Sequence, residues 1–413
     1  MPAPPETGGA PYGGDVGYDV AALRAQFPAL AKGAAHFDGP GGSQTPTVVA
    51  RAVADALTSP IANRGTVTAA ERHAEGIVLK ARAAMGDLLD ADPRGIVFGR
   101  SATALLFDLA RTLAGGWGSG DEVVVTLLDH DANIRPWVLA AEAVGATVRW
   151  LDFDPETTEL DDVAGVLSDR TRLVAVTGAS NLVGTRPPVP AITAAAHEVG
   201  ALTVVDGVHL TSHVAIDVAA LGADFYACSP YKFCGPHLGV LAARPELLEE
   251  LRPAKPVPSS DDVPERFELG TLPYELLAGT TAAVDFLAGI GGSPLDRRSA
   301  LVETMAAVEA HEEPLRRRIE EGLAELPGVR VRSRAAHRTP TLLVEFLEKN
   351  PADAYRYLAE HRVNAPASSF YALEASRRLG LGDTGSLRVG LAPYTDDSDV
   401  DRLLDGLRAF LAL

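Results

Sequence analysis

Lys232 and Asp206 are the residues on which chemistry is most readily built. Lys232 closes the run Cys228-Ser229-Pro230-Tyr231-Lys232, and Asp206 opens Asp206-Gly207-Val208-His209. Each follows a short apolar stretch, Phe225–Ala227 in the first case and Leu202–Val205 in the second. Other polar clusters follow apolar stretches in the same way. They are Asp129-His130-Asp131-Ala132-Asn133 after Val123–Thr126, Ala179-Ser180-Asn181 after Leu173–Thr177, and Gly99-Arg100-Ser101-Ala102-Thr103 after Ile96–Phe98. If these stretches are strands of one parallel sheet, every cluster lies beyond its carboxyl edge, where ligands bind. A lysine amine there can form a Schiff base with an aldehyde. A strand-end carboxylate can pair with a pyridine nitrogen and keep it protonated, making the ring an electron sink. Ser101 to Thr103, at a helix start, suit a phosphate. His130 can stack on a flat ring. The residue types suit one cofactor, pyridoxal 5'-phosphate.

The elements that must position these groups follow from the alternation of the chain. Strands at Ile96–Phe98, Val123–Thr126, Thr147–Leu151, Leu173–Thr177 and Leu202–Val205 alternate with helical patterns at Thr103–Ala114, Asn133–Val144, Leu160–Leu167 and Ala191–Val199. That pattern predicts a parallel sheet covered on both faces. Phe225–Ala227 and Leu238–Ala242 are joined by a short loop, which suits an antiparallel pair. Pro253 to Pro264 then crosses the surface. A long helix near Leu301–Leu326, strands Thr341–Phe346 and Leu387–Gly390, and helices Ala352–His361 and Asp397–Leu411 predict a second, smaller α/β unit.

Composition sets the bounds. The 413 residues carry a formal net charge of −18 and are 46% hydrophobic. This length can bury more than one core. The acidic balance argues against nucleic acid, which needs clustered Lys and Arg. No apolar run reaches the roughly 18 residues that span a bilayer. The N-terminus lacks a basic stretch followed by an apolar core, so a cytoplasmic protein is expected. Cys228 and Cys234 are the only cysteines, too few for a disulfide scaffold or a four-cysteine metal site. Plainer readings stand beside the chemical ones. Asp206 or Asn181 could cap turns, Arg388 could serve a structural ion pair, and Cys234 could be a small buried hydrophobe.

The run VVDGVHLTSHVAIDVAALGADFYACSPYKFCGPHLGVL at 204–241, with LDHDANIRPW at 128–137 and ASNLVGT at 179–185, resembles the class V aminotransferases. These are fold-type I pyridoxal-phosphate enzymes, and the likeness is to the cysteine desulfurase-like branch. It extends from His36-Phe37-Asp38-Gly39 to the C-terminus. The resemblance implies a large domain with a seven-stranded, mostly parallel sheet and a smaller C-terminal α/β domain. The expected division is a flexible tail at 1–17, a segment at 18–35 packing with the small domain, a cofactor-binding domain at 36–290 and a small domain at 291–413.

The resemblance also implies roles. Lys232 is the Schiff-base lysine and proton shuttle, Asp206 the pyridinium partner, and His130 the ring-stacking group. Asn181 bonds the cofactor hydroxyl or the substrate carboxylate, and His209 can bond the hydroxyl. Ser101, Ala102, Thr103 and Ser229 hold the phosphate. Thr271 reaches the phosphate of a partner subunit, so a homodimer is implied. Arg388 binds the α-carboxylate of an amino-acid substrate, a group that a guanidinium fork suits geometrically. Arg64 and Tyr371 are further candidates for the substrate.

The departures bear on function. The desulfurase loop carries a nucleophilic cysteine, and in Pro366-Ala367-Ser368-Ser369-Phe370-Tyr371-Ala372 the matching position is Tyr371. A tyrosine cannot carry a persulfide. Tyr231 stands where the family has His, and Ala102 lacks a hydroxyl. The reading that survives is β-elimination, a C–S lyase acting on cysteine or an S-substituted cysteine. Transamination, epimerisation with Tyr371 returning the proton, and decarboxylation are the alternatives, with a non-catalytic cofactor binder as the reading from another class.

Overall fold

The computed structural model describes residues 18–413; the tail expected at 1–17 lies outside them. Seven strands form the main sheet: β1 Ile96–Gly99, β2 Glu122–Thr126, β3 Thr147–Leu151, β4 Thr171–Thr177, β5 Leu202–Asp206, β6 Phe225–Cys228 and β7 Gly239–Ala243. Their order is β1-β7-β6-β5-β4-β2-β3. From β6 to β3 every pairing is parallel, while β7 runs antiparallel to both β6 and β1. The expected antiparallel pair is therefore β6 with β7.

Strand side chains alternate between faces, and here both faces are covered. Val124, Val174, Val176, Val205 and Val240 enter one core with Ala74, Val78 and Met85 of helix Ala69–Leu89. Val123, Val125, Leu173, Ala175, Val204 and Leu241 enter the other, with Leu106, Leu109 and Trp137. Burial on both faces explains why the strands read as apolar runs instead of alternating ones.

A four-stranded antiparallel sheet contains Val329–Val331, Thr341–Phe346, Ala367–Ser368 and Ser386–Gly390. It packs with helices Arg297–Ala324, Pro351–Glu360 and Asp397–Leu411 around its own core of Ile319, Leu342, Leu387 and Leu403. The N-terminal segment lies between the two sheets' units. Leu23 and Phe27 share a cluster with Cys234, Ala392 and Tyr394, and Arg24 pairs with Asp396 at 3.0 Å and Asp399 at 2.6 Å.

Some expectations shift. The helix expected at Leu160–Leu167 is a single short turn, Val163–Gly165, capped by Asp162. Too few residues lie there to offset helix nucleation, and Gly165 adds backbone freedom. The long helix begins at Arg297, not Leu301, because Asp296 caps it by accepting from Ser299 N. Helices Thr47–Thr58 and Ala69–Leu89 were not announced by the alternation. The second is fixed by a reciprocal cap between Thr68 and Glu71. Among the described residues no helix is long and apolar enough to cross a membrane.

Candidate active site

The carboxyl ends of β2, β4, β5 and β6 bring together the groups expected there, and the smaller unit closes over them. Lys232 ends a short turn, Pro230–Lys232, after β6. Its Nζ donates to the carbonyl of Pro40 and sits 4.7 Å from the Tyr231 ring centroid. Burial, then the nearby Arg388, pull the amine down to about 7, against the opposing charges of Asp38 and Asp206. Lys232 thus titrates near neutrality.

Asp206 terminates β5 and is buried. One carboxylate oxygen accepts from Val208 N at 2.9 Å. Burial pushes its carboxyl up to about 6, with Val208 N–H and Lys232 opposing. Gly207 next to it is a packing necessity, since a Cβ there would lie 1.9 Å from the Tyr226 ring.

His130 caps the turn Asp131–Asn133, its Nδ1 accepting from Ala132 N at 3.0 Å. Burial, then Lys232, hold the ring down at about 4, so it is neutral. Its ring lies 5.5 Å from that of Tyr371, nearly parallel. Behind it Asp129 is fully buried and takes bonds from Thr126 Oγ1, from Asn133 Nδ2 at 2.7 Å and from Thr177 N at 3.0 Å. Asp129 thereby locks the end of β2 to the end of β4. Its place in the strand-end cluster was the available signal, obscured by the adjacent His130.

His209 is buried. Its Nε2 meets the hydroxyls of Thr339 at 2.9 Å and Thr341 at 3.0 Å, linking the two units across the site. Arg388 rises from the strand Ser386–Gly390 and is 2% exposed. Its Nη2 donates to Asp38 Oδ1 at 2.5 Å and its Nη1 to the Asn181 carbonyl at 3.0 Å. The Phe370 ring covers the guanidinium at 3.7 Å. Asp38, Thr339, Thr341 and Phe370 were not singled out by sequence. For Asp38, the Gly-Pro-Gly-Gly that follows it was the available hint.

The loop at 366–372 is anchored on the site. Asn181 Nδ2 donates to the Phe370 carbonyl at 2.9 Å, and Asp131 N donates to the Tyr371 carbonyl at 2.7 Å. Phe370 and Tyr371 both have left-handed backbones, φ +53° and +59°. Such conformations cost non-glycine residues about 1–3 kcal/mol each and persist only when surrounding structure enforces them. The Tyr371 side chain is 76% exposed.

Ser101 caps helix Ala102–Ala114, its Oγ accepting from Ala104 N at 3.1 Å. The first N–H groups of that helix have no intrahelical partner, the usual anion-binding arrangement. A Cβ at Gly239 would fall 2.2 Å from Ser101 C, so β7 packs directly on this turn. Ala102 and Ser229 are buried, and Thr103 is exposed.

Two candidates stand apart. Arg64 is engaged by Glu75 at 2.8 Å and Glu265 at 2.9 Å. Glu265 also meets Arg82, whose bond to buried Glu268 is 2.9 Å. This ion-pair chain anchors the segment leading to Thr271, which is itself exposed. Both thiols are buried, and burial pushes Cys228 up and Cys234 up to about 12.

The donor set fits pyridoxal phosphate. Asn181 Oδ1, His209 Nδ1 and Arg388 Nε are buried with no hydrogen-bond partner. An unsatisfied buried polar atom costs about 1–3 kcal/mol, so a polar ligand among them completes the site.

Comparisons with known proteins agree. The class-V aminotransferase family model matches residues 35–403. A probable cysteine desulfurase of Streptomyces coelicolor is 30% identical, the match covering 94% of this chain and 96% of that protein. The aminotransferase-like protein FGM3 of Gibberella zeae is 31% identical over 95% of this chain and 99% of its own length. The crystal structure of the cysteine desulfurase CsdA from Escherichia coli superposes with a TM-score of 0.84 at 28% identity, covering 96% of this chain and 99% of that one. The chain belongs to the class-V aminotransferase family, in its cysteine desulfurase-like branch, and is a pyridoxal-phosphate-dependent enzyme of fold type I.

Proposed function

We propose that the protein is a C–S lyase that β-eliminates cysteine or an S-substituted cysteine without an enzyme persulfide. One observation carries this reading. The loop position that would accept sulfur is Tyr371, and both cysteines are buried with thiols held protonated. Elimination needs a base and a leaving group but no second nucleophile.

Pyridoxal phosphate, when bound, draws electrons away from Cα of an amino acid joined to it. Lys232 would anchor it, Asp206 would face its pyridine nitrogen, and His130 its ring. Asn181 and His209 would offer Oδ1 and Nδ1 to its hydroxyl. Ser101, Ala102, Thr103 and Ser229 would receive its phosphate. Arg388 would hold the substrate carboxylate. Lys232, its amine depressed to about 7 and so partly uncharged at neutral pH, would then take the proton from Cα. The electron pair forms the Cα–Cβ double bond, the Cβ–S bond breaks, and sulfur leaves with its pair as a thiolate. Addition of water to the released enamine product gives pyruvate and ammonia.

The subunit arrangement belongs to the same proposal. Thr271 is exposed beside Leu269, itself 55% exposed, which suits a homodimer in which Thr271 approaches the partner's phosphate site. The units are taken as residues 36–290 around the cofactor and 291–413 over the substrate, with 18–35 packed between them.

The test is a product assay with holoenzyme, cysteine, S-substituted cysteines, alanine and glutamate, with no keto acid present. Repeated turnover to pyruvate, ammonia and thiol or sulfide is expected. A single turnover that stalls until keto acid is added would replace the lyase reading with transamination.

A further inference from the structure

Arg388 is already occupied by a carboxylate of its own chain. Asp38 Oδ1 accepts from its Nη2 at 2.5 Å. The remaining surroundings are closed: Asn181 O takes Nη1, Phe370 covers a face, and Nε is buried. Asp38 reaches solvent, its side chain 41% exposed against 2% for Arg388.

The turn Asp38-Gly39-Pro40-Gly41-Gly42 is shaped to hold that carboxylate in place. Gly41 N and Gly42 N both donate to the Asp38 carbonyl, at 2.9 and 3.0 Å. A Cβ at Gly41 would lie 2.2 Å from Asp38 Oδ2, so only glycine lets the carboxylate fold back over the turn. A Cβ at Gly39 would lie 2.1 Å from Leu391 O, and one at Gly390 would lie 2.1 Å from Pro40. The turn is thus seated on the strand that carries Arg388. Asp38, Gly41 and Gly42 also border an open cavity of about 540 Å³, with Tyr231 and His237 on its wall. Asp38 lines that cavity and Arg388 does not.

We propose that Asp38 is a built-in competitor that occupies the carboxylate subsite of Arg388 until a substrate carboxylate displaces it. The inference rests on the reading of Arg388 as the carboxylate-binding residue. Two anions facing one guanidinium repel, so a ligand carboxylate must drive Asp38 toward the solvent it already touches. A simple carboxylate has only its attraction to Arg388 with which to do so. An α-amino acid adds the attachment of its amino group to the cofactor. Asp38 therefore lowers the affinity of every carboxylate for Arg388, and an α-amino acid recovers binding through its amino group where a plain carboxylate does not.

The experiment measures propionate binding to the holoenzyme by calorimetry, and kcat and KM for the best amino-acid substrate. The proteins are the wild type, Asp38→Asn, Asp38→Glu and Arg388→Gln. Asp38→Asn should bind propionate on the order of tenfold more tightly and show a lower KM with a smaller change in kcat. Asp38→Glu, which keeps the charge, should resemble the wild type and guards against a merely structural effect. Arg388→Gln should lose propionate binding. If Asp38→Asn binds propionate equally or more weakly while Arg388→Gln loses it, Asp38 only orients the arginine and the inference is overturned. If Arg388→Gln binds propionate like the wild type, the carboxylate reading of Arg388 itself falls.

Discussion

Asn181 Nδ2 donates to the carbonyl of Phe370 at 2.9 Å, joining the turn after β4 to a loop 189 positions further along the chain. Through that bond the Phe370 ring is set against Arg388 at 3.7 Å. The Arg388 guanidinium is thus oriented by partners from three distant parts of the sequence: Asp38, Asn181 and Phe370.

Phe370→Ala uncovers the guanidinium face. A desolvated cation–aromatic contact contributes about 2 kcal/mol. KM for the amino acid should rise on the order of tenfold, with kcat changing less. Steady-state kinetics of Phe370→Ala beside Phe370→Tyr checks this, since Phe370→Tyr keeps the aromatic face. An equal fall in kcat and kcat/KM for Phe370→Ala would contradict it.

The lysine sets a pH dependence that can be read before any turnover. An amine depressed to about 7 is charged below that value and a nucleophile above it. In the cofactor-free protein, the rate of pyridoxal-phosphate capture should rise with pH through about 7 and level off. A surface lysine would keep climbing toward pH 10. Arg388 is the second-largest cause of the depression, so Arg388→Gln should move the inflection upward. Stopped-flow absorbance over pH 5.5–9.5 measures both.

Asp129 tests the frame behind His130. Burial pushes its carboxyl up to about 8, while Thr126, Asn133 and Thr177 all donate to it and favour the anion. Asp129→Asn places an amide donor against these donors. A loss of about 1–3 kcal/mol is expected, read as a lower denaturant midpoint of the cofactor-free protein. Unchanged stability would mean that one of the donors turns away without consequence.

The Arg82–Glu268 pair should show the asymmetry of buried ions. Both side chains are 4% exposed, and Glu268 also accepts from Phe98 N at 2.9 Å. Glu268→Gln alone should destabilise by about 3 kcal/mol, because Arg82 stays buried and keeps only Glu265, at 3.2 Å, as a counter-charge. Replacing both by Met should be less damaging than the single change. Thermal unfolding of the three variants decides the matter.

Tyr371→Phe separates elimination from epimerisation. Tyr371 holds its place through its carbonyl, which accepts from Asp131 N, and not through its exposed hydroxyl. Removing the hydroxyl should leave lyase turnover within about twofold. Loss of inversion at Cα of a chiral substrate, with Cα–deuterium exchange through Lys232 retained, would make the hydroxyl the opposite-face proton donor and favour the epimerase.

Much of the frame was legible in the sequence because its signals are local. The runs ending at Thr126, Thr177, Asp206 and Cys228 are buried on both faces, so their apolar composition announced them and their last residues announced the site. Helix Ala69–Leu89 was not legible, since its apolar face answers to a sheet formed later in the chain. Asp38 and Thr339 escaped for a related reason. Their chemistry lies in contacts with Arg388 and His209, more than a hundred residues away in each case. Arg64 shows the converse: a sequence position suggestive of a substrate contact is committed to Glu75 and Glu265.

The antiparallel strand β7 has a consequence for the order in which the protein becomes competent. Lys232 lies in the link between β6 and β7, and β7 must return to pair with β1, laid down about 140 residues earlier, before that link is held at both ends. Such long-range closure is slow relative to local helix formation. During synthesis the amine is therefore made well before its surroundings are. Arg388 emerges only near the end of the chain, and its own strand must pair with Thr341–Phe346 before the guanidinium can reach Asp38. A nascent chain that has passed residue 250 holds every large-sheet strand and the lysine, yet not Arg388. The strand-end groups of the large sheet and the guanidinium of Arg388 are therefore completed at different stages of synthesis.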